Sequence, residues 1–229
     1  MRITDFIKLK EGISRINIKI KAGEETEING QGPHIDEREL ERLLQKIDRI
    51  ANGDTLVLAG SIPNTMPDNI YENMMERIKH KKVRIVVDAT KKLLVNSLKY
   101  KPFLIKPNRQ ELSEIFDVEV KTEDDIEKYA KELQKMGAQN VLISLGGEGA
   151  MLIDEFGEKH KAGVLKEKVI NTVGSGDSMV AGFIAGYEQK KDYGYALTLG
   201  SVCGNATAFL SGLATREKID ELLEKFNSQ

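Results

Sequence analysis

Three observations predict a three-layer α/β fold in which helices cover both faces of a mainly parallel sheet. Short apolar runs rich in β-branched residues, TLVLAG, VRIVVD, FLIK and NVLISL, recur along the 229 residues. Their centres are consecutive apolar residues, as expected of strands buried on both faces, whereas a sheet with one wet face would alternate. The segments between them carry helical periodicity, caps and glycine stops.

The first element departs from that pattern. In ISRINIKIK, Ile16, Ile18 and Ile20 alternate with Arg15, Asn17, Lys19 and Lys21, the period of a half-exposed strand. The loop NGQGP follows, and Asp36 and Glu39, in capping-box spacing, open a helix carrying Leu40, Leu43, Leu44, Ile47 and Ile50. TLVLAG then predicts a strand, about 68–80 a helix, VRIVVD a strand and about 92–98 a short helix. FLIK is the next strand and NRQELSEIF the next helix. Thr122 caps a charged helix that ends near Met136, before Gly137. NVLISL is a strand, GGEG a turn and AMLID its hairpin-like return. After NTVGSGD the chain reads as helical.

Composition narrows the function. The 34 basic and 36 acidic residues leave a formal charge of −2, which gives no support to a nucleic-acid or membrane-surface partner. Cys203 is the single cysteine and MRITDFIKLK lacks a signal-peptide core, so a reducing, cytoplasmic compartment is expected. The uncharged run from Tyr193 to Thr215 is long enough for a membrane span. Its Gly200, Ser201, Gly204, Asn205 and Thr207 instead suit a helix buried inside a protein. His34, His80 and His160 are scattered, which argues against a transition-metal centre, and no G-x-S-x-G elbow is present.

Three glycine- or asparagine-containing turns could carry chemistry. In NTVGSGDSMVAGF, Gly174, Ser175 and Gly176 precede Asp177 at a helix start. Bare amides and the helix dipole there suit a phosphoryl group, and a carboxylate beside it makes sense as a base for an attacking hydroxyl. A helix cap behind a tight turn would explain the same spacing. In KPNRQE, Asn108 and Glu111 share a helix face and could serve a hydrated magnesium ion, or simply cap the helix. SLGGEG is neither a Walker loop nor a dinucleotide fingerprint, and read alone is a β-turn.

Taken in chain order, KPNRQE, SLGGEG and NTVGSGDSMVAGF resemble the signatures of the PfkB, or ribokinase-like, carbohydrate kinases, whose last motif reads D-T-x-G-A-G-D. The resemblance runs from about Phe6 to the C-terminus. It implies a ribokinase-like αβα sandwich over residues 1–229 as one kinase domain, with 10–33 a partial β lid. The family's first strand, its Gly-Gly-x-x-x-Asn loop and first βα region are expected ahead of residue 1. By resemblance Asp177 is the catalytic base, and the amides of Gly174, Ser175 and Gly176 form the anion hole. Lys106 and Asn108 line the ATP phosphates, and Asn108 and Glu111 act on Mg2+ through water. Ser144, Gly146 and Gly149 approach ATP, and Asn205 lies near the adenine. Arg15 is the lid residue for the sugar phosphate and Ser61 a further substrate contact. Asn171 departs from the usual Asp and Ser175 from the usual Ala.

SRINIKI, ETEINGQGP, LAGSIP and VVDATKKLL are most similar to family members that phosphorylate D-fructose 1-phosphate at its 6-hydroxyl. Tagatose 6-phosphate is the alternative acceptor, and a noncatalytic nucleotide-binding or oligomerising fragment is the alternative of another class. The resemblance also implies a homodimer that shares its lid strands.

Overall fold

The structure, a computed structural model, describes residues 5–22, 24–63 and 65–228. It divides into two compact units, Met1–Leu56 with Gly60–Arg84, and Val57–Ala59 with Ile85–Gln229.

In the first unit, β1 (Asn17–Ala22) and β2 (Glu24–Asn29) form an antiparallel pair with Ile18 opposite Ile28 and Ile20 opposite Thr26. Strand β2 was not foreseen. EETEIN carries one apolar residue, so no alternation marks it, and it is a strand because β1 supplies its hydrogen-bonding partner. The helix α1 (Glu37–Asp48) starts at the expected capping box. Glu39 N–H donates to Asp36 Oδ1 at 2.8 Å and Asp36 N–H to Glu39 Oε2 at 3.0 Å. The next helix, α2, spans Ile70–Ile78.

One sheet runs in the order β3 (Thr55–Ala59), β4 (Arg84–Asp88), β5 (Leu104–Ile105), β6 (Asn140–Ser144), β7 (Ala150–Ile153), β8 (Lys159–Ala162). Strands β4, β5 and β6 are parallel; β7 and β8 add antiparallel pairs, so the sheet is mixed. Strand β8, KHKA, also lay outside the sequence reading, because its buried apolar side chain is Ala162 alone. The turn before it is built on Asp154, whose Oδ1 accepts the N–H groups of Phe156 and Glu158, both at 2.9 Å.

The helices of the second unit are α3 (Lys91–Ser97), α4 (Arg109–Phe116), α5 (Glu123–Lys135), α6 (Ser175–Lys190), α7 (Tyr193–Ala208) and α8 (Arg216–Asn227). Its core joins Val86, Leu104, Leu142 and Leu152 of the strands to Val180 and Phe183 of α6 and Leu197 of α7. Helices α6 and α7 pack backbone to backbone. A Cβ on Gly200 would lie 2.8 Å from the Met179 carbonyl, and one on Gly186 2.9 Å from Ala196 Cα. The small residues that shaped the membrane question therefore serve helix contact. The uncharged run is also broken where α7 ends, and among the described residues no helix is long and apolar enough to cross a membrane.

Candidate active site

A cavity of about 900 Å³ opens within the second unit. The ends of β5 and β6, the first turn of α6 and the middle of α7 converge on it. Lys106, Asn108, Ser144, Gly146, Gly149, Ser175, Gly176 and Asn205 line it, all residues singled out from the sequence. Gly174 and Asp177 flank the lining residues of the α6 turn, and Asp177 is solvent-exposed. Glu111 stands one turn into α4, behind Asn108. Arg15, just ahead of β1, and Ser61, just after β3, are exposed residues of the first unit.

The α6 turn has a local cause. Gly174 takes φ 82°, ψ −1°, the left-handed region in which a side chain is disfavoured, and a Cβ there would lie 2.7 Å from Leu213 Cδ2. Ser178 N–H donates to Gly174 O at 2.9 Å and starts the helix, and Ser175 N–H donates to Thr172 O at 3.2 Å. The Ser175 amide is thus engaged, whereas those of Gly176 and Asp177 have no acceptor among the described residues. Asn171 suits its place: its Oδ1 accepts Val173 N–H at 3.2 Å while its Nδ2 donates to Ser211 O at 3.4 Å, a bond that an aspartate could not make.

Lys106 brings a cation to this turn. Its buried side chain reaches Asp88 Oδ1 at 3.2 Å, and a Cβ on Gly176 would lie 3.2 Å from its Nζ. Glycine at 176 is what lets the ammonium come so close. An ammonium facing the positive end of a helix is repelled by it, so the arrangement favours an anion between them. Burial pushes the Asp88 carboxyl above its ordinary value; Lys106 opposes that, and the charge of Asp177 adds to it. Burial likewise raises Glu111, against the Asn108 N–H bond and Lys106. Asp88 was missed as a site residue, although its position at the C-terminal end of a buried strand was a usable signal.

The remaining edges are equally specific. Asn108 caps α4, with Glu111 N–H donating to its Oδ1 and its own N–H donating to Glu111 Oε2, both at 2.8 Å. Arg109 ties that turn to Glu148 of the GGEG turn at 2.7 Å. Gly149, at φ 95° and ψ −134°, could not carry a Cβ, which would lie 2.1 Å from Ala162 O. The hydroxyls of Ser175 and Ser201 are buried without a partner among the described residues, and both residues line the cavity. Orphaned donors and a cation at a helix start fit the phosphates of a nucleotide. For magnesium, Glu111 Oε1 has no protein partner among the described residues, and carboxylate oxygen is a hard ligand of the right kind. Asp88, Glu111 and Asp177 do not form a group close enough to share one ion directly; among the described residues Asp154, Glu158 and His160 do, and there the carboxylate is occupied by its turn.

The chain belongs to the pfkB family of carbohydrate kinases, whose model matches residues 3–219. It is 41% identical to the 1-phosphofructokinase of Bacillus subtilis and 39% identical to the D-tagatose-1-phosphate kinase of Bacillus licheniformis. Each match covers 96% of this chain and 72% of the relative. A crystal structure from Staphylococcus aureus, 43% identical, superposes with a TM-score of 0.83 over 98% of this chain and 72% of that one. Arabidopsis thaliana ribokinase, at 20% identity and a TM-score of 0.67, covers 88% of this chain and 66% of its own and shares the ribokinase-like fold alone. The homodimer expectation is corrected by the phosphofructokinase-2 of Escherichia coli, 25% identical with a TM-score of 0.81 over 92% of this chain and 70% of its own, which has been solved in a tetrameric inhibited form. The physical reason is that exposed apolar strand residues, here Ile18, Ile20 and Ile28, promote association without limiting it to two copies.

Proposed function

We propose that this chain catalyses ATP-dependent phosphorylation of D-fructose 1-phosphate at its 6-hydroxyl, a 1-phosphofructokinase activity. The observation that carries the reading is the Lys106 ammonium facing the open amides of the α6 turn, beside the exposed carboxylate of Asp177. Asp177 takes the proton of the attacking hydroxyl. The open amides of Gly176 and Asp177, in the turn that Gly174 and Ser175 shape, and Lys106 balance the charge that spreads over the equatorial oxygens of the moving phosphoryl group. Asn108 and Glu111 are the residues that would hold Mg2+, through water, and the ion would supply positive charge to offset that of the phosphates. Ser144, Gly146 and Gly149 run along ATP and Asn205 stands by its base. Arg15 and Ser61 bind the sugar phosphate, Arg15 through the planar guanidinium that suits phosphate. In this reading residues 1–229 act as one kinase domain with 10–33 as part of its lid, working in the cytoplasm.

The nearest rival acceptor is D-tagatose 1-phosphate, on the strength of the Bacillus licheniformis relative. It replaces tagatose 6-phosphate, which neither of these relatives names. ADP release from Mg-ATP, measured with fructose 1-phosphate and tagatose 1-phosphate in parallel and beside Asp177→Ala, tests both. Faster turnover of fructose 1-phosphate that vanishes in the variant supports the proposal. Faster turnover of the tagatose ester assigns the rival acceptor. ATP binding without turnover of either refutes the enzyme reading in favour of a nucleotide-binding fragment.

A further inference from the structure

We propose that Asp88 is a positioning residue: its carboxylate holds the Lys106 ammonium against the first turn of α6, so that the cation is in place before a phosphoryl group arrives. The inference rests on the phosphoryl-transfer reading of the site and goes one residue beyond it.

Asp88 closes β4, and Lys106 follows β5, its parallel neighbour. The register pairs Val86 with Leu104 and Val87 with Ile105, and Lys106 N–H donates to Val87 O at 3.3 Å. The two side chains therefore leave adjacent strand ends whose backbones are locked to each other. A lysine has four rotatable carbons, and this one points at the positive end of a helix, from which it is repelled. A counter-charge behind it is needed to keep it there, and Asp88 supplies one at 3.2 Å. Gly176 leaves the space, since a Cβ would meet Lys106 Nζ at 3.2 Å and Cε at 3.4 Å. Lys106 lines the cavity and Asp88 stands behind it, joined to that lining by the ion pair.

The idea makes a prediction of unusual sign. Removing a negative charge near an anion site should by itself tighten anion binding. If Asp88 positions Lys106, Asp88→Asn must weaken it. The test is titration of the full chain with ATP and with adenosine, both in EDTA, comparing the wild type with Asp88→Asn, Lys106→Met and the double variant. Asp88→Asn should weaken ATP binding by roughly tenfold, the worth of one charge-assisted hydrogen bond, and leave adenosine binding unchanged. The double variant should bind ATP no more weakly than Lys106→Met alone, because the two residues act as one unit. Asp88→Glu, which keeps the charge, should bind ATP more tightly than Asp88→Asn, and Asp88→Ser, which also removes the charge, carries the same comparison if the asparagine variant does not fold. Tighter or unchanged ATP binding in Asp88→Asn, equal losses for ATP and adenosine, or additive losses in the double variant would overturn the proposal. A wild type that binds adenosine as well as it binds ATP would instead sink the phosphate reading on which the proposal stands.

Discussion

Asp177 is exposed in the first turn of α6 and its side chain makes no hydrogen bond among the described residues, so its removal costs the fold little beyond one favourable charge at a helix start. Asp177→Ala should lower kcat by about 10²–10⁴-fold, the usual contribution of a positioned base, with the midpoint of thermal unfolding falling by no more than roughly 4 °C, the worth of one charge at a helix start. Gly149 presents the reverse case. Its backbone angles are open essentially to glycine alone, and a methyl group would press on the Ala162 carbonyl. Gly149→Ala should cost about 3 kcal/mol or more in urea unfolding, through strain and clash together. The two substitutions distinguish a residue kept for its proton chemistry from one kept for its shape.

The α6–α7 pair is the element that sets the height of the anion-binding turn. Met179 and Phe183, one and two turns into α6, rest on Gly200 of α7, so the start of α6 is located by contact with a helix that contributes Asn205 to the same cavity. Gly200→Val should destabilise the chain by about 1–3 kcal/mol, as overpacking does, measured by urea unfolding. Because the strain enters one turn below Gly176, ATP affinity should fall as well, whereas an equally destabilising change in α8 should leave it alone.

For the whole molecule, charge ties stability to pH. Lys131, and then Lys159, holds the Glu127 carboxyl down to about 2 from its ordinary 4.5. A depressed carboxylate adds stability that is fully present above its unfolded value and is lost as pH falls through the folded one. Urea unfolding followed from pH 5 to pH 3 should show stability falling, less steeply in Glu127→Gln and in high salt, since the pair is at the surface. Asp88 and Glu111 work in the opposite sense: burial raises both, so acidification relieves a cost instead of adding one. The cavity gives a second global measure. ATP at a hundredfold excess over its Kd should stabilise the fold by about 2.7 kcal/mol and raise the unfolding midpoint by roughly 5–10 °C.

What the sequence by itself determined is whatever depends on neighbours a few residues apart. The capping boxes at Asp36 and Glu39 and at Asn108 and Glu111, the buried strands, and the glycine turn before Asp177 are all written within single turns or single runs. They carried the α/β class, the family and the glycine, asparagine and lysine positions of the cavity lining, but not its 164–169 wall. Tertiary structure alone decided the rest. Strands β2 and β8 exist because a partner strand accepts them, not because their own side chains alternate. Asp88 joins the site because β4 lies beside β5, and the glycines of α7 were legible as small but not as the seat of α6 until the two helices met. The division follows from the reach of the forces involved: backbone periodicity and capping act along the chain, whereas ion pairing and close packing act through space between residues that only the fold makes neighbours.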